Sequence, residues 1–103
     1  MTTRERNIAL PMEQILAFCR RHPIRKLSLF GSVLREDFGE GSDVDLLVAF
    51  LPHARVTYFT MADMEVELAS ILGRKVDLRT AEEIHQRFRQ QVLESAELLY
   101  AHE

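Results

Sequence analysis

Between residues 31 and 48 the chain reads Gly-Ser-Val-Leu-Arg-Glu-Asp-Phe-Gly-Glu-Gly-Ser-Asp-Val-Asp-Leu-Leu-Val, and this stretch constrains the fold more than any other. A Gly-Ser turn follows an apolar run, and Asp43 and Asp45 stand at the head of the next one. Side chains at i and i+2 of a strand point to one face, with Cα atoms roughly 6.6 Å apart. A strand here buries Val44, Leu46 and Val48 and aims both carboxylates the other way. Two like charges so placed repel by about 1 kcal/mol in water at 4 Å and about 4 kcal/mol at an effective dielectric of 20. The pattern therefore asks for a positive partner, and a divalent metal meets that need.

Along the rest of the chain the apolar period alternates between helical and strand-like. Pro11 to His22 reads as a helix with Met12, Ile15, Leu16 and Cys19 on one stripe, ended by His22-Pro23 because a residue before proline avoids helical angles. Lys26 to Phe30 reads as a short strand with Leu27 and Leu29 inward, and Ser32 to Phe38 as a brief helix closed by Gly39. Asp43 to Phe50 is the most strand-like segment. Thr57 to Leu72 is a long helix with Met61, Met64, Leu68, Ile71 and Leu72 along one side and Gly73 as its stop. Lys75 to Arg79 is a third strand. Ala81 to about Tyr100 is expected to be the last helix, striped by Ile84, Phe88, Val92, Ala96 and Leu99. Alternating helices and strands predict a small α/β (α+β) domain, a mixed sheet with helices packed on one face, spanning residues 1–103 as a single unit.

Composition removes several classes of function. No apolar run approaches the ~20 residues that span a bilayer, and the N-terminal residues lack a signal peptide's apolar region, so a cytoplasmic protein without membrane contact is expected. The single Cys19 excludes an internal disulfide and a multi-cysteine zinc site, and its place on an apolar stripe reads as core. A net charge of −3 argues against extended nucleic-acid binding, which needs a basic face.

The chemistry-bearing residues each carry two readings. Ser32 caps the helix expected after Gly31, which places Arg35 in its first turn, where a positive charge opposes the helix dipole. Either Arg35 pairs with Glu36, Asp37 or Glu40 on the surface, or an anion bound at the Gly31-Ser32 turn removes the conflict. Asp43 and Asp45 are either solvated turn residues or ligands; a helix-loop-helix calcium loop is excluded because Leu46, Leu47 and Val48 follow. Asp77 shares a strand face with Lys75 and Arg79. It is either a surface ion pair with them or, if its strand neighbours that of Asp45, the third carboxylate of a Mg²⁺ site. His53 and Arg55 read as a solvated loop, Arg87 and Arg89 as a solvated helix face, and His85 and His102 have no ligand-spaced partners.

Taken together, Gly31-Ser32, ten intervening residues, Asp43-x-Asp45 on an apolar strand and a lone Asp77 on a later strand resemble the DNA polymerase β-like nucleotidyltransferase superfamily. In detail the chain is similar to the minimal nucleotidyltransferases, often encoded beside a HEPN-domain protein as a toxin–antitoxin pair. The resemblance implies nucleotide-binding roles for Gly31, Ser32 and Arg35, and catalytic, metal-binding roles for Asp43, Asp45 and Asp77 around two Mg²⁺ ions with ATP as substrate. Such ions, roughly 3.5–4 Å apart, clamp an in-line displacement at the α-phosphate. The implied activity is transfer of AMP to a hydroxyl, a tyrosine of a HEPN toxin above all, which silences the toxin. The alternative is a binding module that neutralises its partner by contact without catalysis. Glu36 departs from the small residue common in the family, and no larger acceptor-binding domain is expected within these 103 residues. Assembly as a homo- or hetero-oligomer stays open, as does whether Leu98, Leu99 and Tyr100 cover the chain's own core or a neighbour.

Overall fold

In a computed structural model the described residues are 10–31 and 43–102. They form α1 (Met12–Arg21), β1 (Ile24–Phe30), β2 (Val44–Phe50), α2 (Tyr58–Leu72), β3 (Val76–Arg79), α3 (Gln86–Ser95) and β4 (Glu97–Ala101), with a 3-10 turn over Ala81–Glu83. The sheet order is β3-β2-β1-β4. β1 pairs antiparallel with β2 and β4, and β2 pairs parallel with β3, so the sheet is mixed as expected. Parallel neighbours need a crossover, and α2 provides it.

Local chemistry accounts for most boundaries. The Pro11 carbonyl accepts from the Gln14 and Ile15 amides, which opens α1, and the extended His22 before Pro23 closes it. The Thr57 hydroxyl accepts from the Thr60 amide at 3.1 Å and opens α2. Gly73, with φ of 68°, closes it by donating its N–H to Ala69.

The period-2 pattern then sorts the sheet. Leu27, Leu29, Val44, Leu46, Val48, Val76 and Leu78 face α1 and α2, where Ile15, Phe18, Cys19, Met64 and Leu68 complete the buried core. Phe18 is fully buried one helical turn beyond Ile15, a core position that the stripe through Leu16 omitted. At the outer end of α1 the Glu67 carboxylate of α2 accepts from Arg21 at 2.5 Å and His22 at 3.1 Å, joining the two helices.

The segment after β3 departs from the expected single helix. It divides into the 3-10 turn, α3 and β4, so Ala96 and Leu99 leave the helical stripe. The Ser95 hydroxyl donates back to the Gln91 and Val92 carbonyls at the helix end, where it competes with continuation. Beyond it, the open edge of β1 offers backbone partners that a longer helix would leave unpaired, and β4 takes them, with His102 N–H donating to Arg25. A one-residue bulge at Leu99 lets both Leu98 and Tyr100 pair with β1. α3 lies on the opposite side of the sheet from α1 and α2: its Leu93 and the sheet's Ser28 and Leu47 line one cavity. Arg89, expected on a solvated face, instead donates to the Ala81 and Ile84 carbonyls and ties α3 to the turn before it.

Candidate active site

Parity in β2 and β3 decides where the carboxylates go. Val44 stands opposite Val76 and Asp45 opposite Asp77. In-register neighbours share a face, so the two valines enter the core and the two aspartates lie side by side on the other surface, on strands roughly 4.8 Å apart. Asp43 stands at the head of β2, where Val44 N–H donates to the Lys75 carbonyl at 2.9 Å and begins the pairing. Asp43, Asp45 and Asp77 are all half-buried.

Gly31 closes the other side. It follows Phe30, the partner of Asp45 across the sheet, and has φ of 73°. A Cβ built there would lie 2.5 Å from Oδ2 of Asp45 and 3.2 Å from its Cγ. The bare Cα of Gly31 is thus what lets the Asp45 carboxylate sit where it does, and the left-handed backbone favours glycine. Ser32, Arg35, the expected helix over 32–38 and the turn through Gly41-Ser42 lie outside the described residues.

Asp77 makes the ion pair that its strand neighbours offered. The Arg79 Nε–H donates to both carboxylate oxygens, at 3.2 Å each. Among the described residues, no three His, Cys, Asp or Glu side chains converge closely enough to hold one ion. The donor chemistry still suits a hard divalent cation, since the three carboxylates offer oxygen ligands and two of them are register neighbours on one face.

One supporting residue escaped the sequence reading. Glu65 of α2 accepts a 2.7 Å hydrogen bond from the Leu78 amide, so the edge strand carrying Asp77 is anchored to the helix one residue away. No motif marks it; a glutamate one residue after the buried Met64 is the sole hint. Beside the acidic row, on the same face, lies a cavity of about 500 Å³ whose lining includes Lys26, Ser28, Leu47, Leu93 and Leu98. That size is ordinary for a small-molecule site. His53 and Arg55 are exposed after β2, as a solvated loop would be.

Comparison with known proteins bears on this arrangement. Residues 12–99 match the family model of the nucleotidyltransferase domain. A Methanocaldococcus jannaschii protein named "putative protein adenylyltransferase MJ0435" is 30% identical over 90 residues, covering 87% of this chain and 95% of its own. A solved "putative minimal nucleotidyltransferase" is 38% identical with a TM-score of 0.68, over 82% of this chain and 85% of that one. Two toxin–antitoxin complexes share the fold. One, solved with AMP-PNP, has a TM-score of 0.73 at 23% identity over 91% of this chain and 76% of its own. The other, of a tri-AMPylated Shewanella oneidensis HEPN toxin with an MNT antitoxin, has a TM-score of 0.64 at 22% identity over 88% and 70%. The chain belongs to the nucleotidyltransferase domain family and is an enzyme of that class.

Proposed function

We propose that this chain moves AMP from ATP to a tyrosine hydroxyl of a partner HEPN toxin, with Asp43, Asp45 and Asp77 as the catalytic, metal-holding residues and Gly31, Ser32 and Arg35 at the nucleotide. The observation that carries this reading is the register of Asp45 against Asp77, with the Asp45 carboxylate seated on the bare Cα of Gly31. Structural relatives solved with an ATP analogue or with an AMPylated HEPN toxin support the donor and the partner class.

The chain's residues then divide the work. Gly31 permits a close backbone approach, and Ser32 and Arg35 bind the phosphates beside it. The acceptor oxygen attacks the α-phosphorus, the bond from that phosphorus to the bridging oxygen breaks, and pyrophosphate leaves with the electron pair. Asp77 takes the hydroxyl proton as general base. Magnesium held by Asp43, Asp45 and Asp77 supplies charge neutralisation on the polyphosphate when bound.

The test mixes the purified chain with Mg²⁺, α-labelled ATP and the protein encoded beside it. Label should appear on the partner, and Asp43→Asn or Asp77→Asn should lower transfer at least about 100-fold, beyond the cost of losing an outer-shell partner of a metal ligand. Partner inhibition that survives both changes with no label transferred would instead establish neutralisation by contact.

A further inference from the structure

We propose that Arg79 is a resting counter-ion for Asp77, neutralising its carboxylate until a divalent cation displaces it; this rests on the metal-binding role given above to Asp43, Asp45 and Asp77. The argument begins with charge. Asp45 and Asp77 are register partners on adjacent parallel strands, so without a cation two carboxylates face the same surface side by side. β3 carries a remedy in its own sequence: Arg79 is two residues beyond Asp77 and therefore on the same face. Its Nε–H spans both Asp77 oxygens at 3.2 Å. A cation that takes either oxygen on that side competes with the guanidinium for it, so Arg79 and the metal exclude one another at Asp77. β3 is an edge strand, and Arg79 is exposed, so the guanidinium has solvent to move into when it is displaced.

The side chains of Arg79 and Asp77 are 47% and 35% exposed, so solvent screens the pair. An exposed pair of this kind shifts a competing equilibrium by no more than about fivefold. The test uses Mn²⁺ as a paramagnetic probe of the full chain without nucleotide, with free ion counted by electron paramagnetic resonance. Arg79→Gln should bind Mn²⁺ about two- to fivefold more tightly than the wild type, with the gap shrinking as salt screens the pair. Arg79→Lys, which keeps the charge, should stay within about twofold of the wild type. In label transfer, Arg79→Gln should reach half-maximal rate at a correspondingly lower Mg²⁺ concentration. A residue that merely braced β3 would weaken the site when replaced. Equal or weaker Mn²⁺ binding by Arg79→Gln therefore overturns this inference, while wild-type binding abolished by Asp45→Asn leaves the metal site standing. Absence of Mn²⁺ binding by both wild type and Arg79→Gln at millimolar ion overturns the metal site and this inference together.

Discussion

A Cβ at position 31 would stand 2.5 Å from Oδ2 of Asp45, on a backbone with φ of +73°. Gly31→Ala thus carries two costs: a left-handed conformation, worth about 1–2 kcal/mol for a residue with a side chain, and a displaced carboxylate. The melting temperature should fall by roughly 4–8 °C per kcal/mol, and label transfer should be lost even in the folded fraction. An alanine variant with unchanged melting and transfer would remove the Gly31–Asp45 contact from the mechanism. At the same scale, burial pushes the Cys19 thiol up to about 11 against the lowering effect of Arg20, which keeps it protonated and apolar in the core. The turning of Asp45 away from the buried Val44 and Leu46 was legible because alternation along a strand is a local property. The choice between ion pair and ligand at Asp77 was not, since both use the same face of the same strand. The structure has the ion pair and the register together.

Between elements, the junction of α1 and α2 carries a pH dependence of known sign. Burial, the largest single influence, raises the pKa of Glu67, but the hydrogen bonds and positive charges of Arg21 and His22 together outweigh it and leave it below the ordinary 4.5. A carboxylate lowered on folding adds stability that is complete above its unfolded pKa and is lost as pH falls through the folded value. Glu67 is 32% exposed, so the contribution is modest. Glu67→Gln should lower stability by about 0.5–1 kcal/mol at pH 7, and the difference should narrow as pH falls below the unfolded value of 4.5, as measured by urea unfolding at neutral and at acid pH. Equal destabilisation at both would mean that shape, not charge, joins the helices. The last helix shows why element type was only partly legible. Ile84, Phe88, Val92, Ala96 and Leu99 have helical spacing, yet the open edge of β1 recruits 97–101 as β4. Hydrogen-bond demand from a strand some 70 residues earlier in the chain outweighs a local period.

For the molecule as a whole, ligand linkage offers the broadest check on the proposed chemistry. A ligand at 100 times its Kd stabilises the folded chain by about 2.7 kcal/mol, which for a domain of this size is a rise of about 10–20 °C in melting temperature. Mg²⁺ with ATP should produce such a shift, and Asp45→Asn should abolish it; unchanged melting at millimolar Mg²⁺ and ATP would count against the nucleotide site. No helix among the described residues is long and apolar enough to cross a membrane. By itself the sequence determined the features that depend on near neighbours. These are the helix stops at Pro23 and Gly73, the burial of Val44, Leu46 and Val48, and the turning of Asp45 to the opposite face. Only the tertiary structure decided that β3 docks beside β2 with Asp77 at the level of Asp45, that Gly31 closes on the Asp45 carboxylate, and that 97–101 extends the sheet. Periodicity is written along a strand, whereas register between strands is set by which distant backbone groups must be paired and which apolar faces must meet.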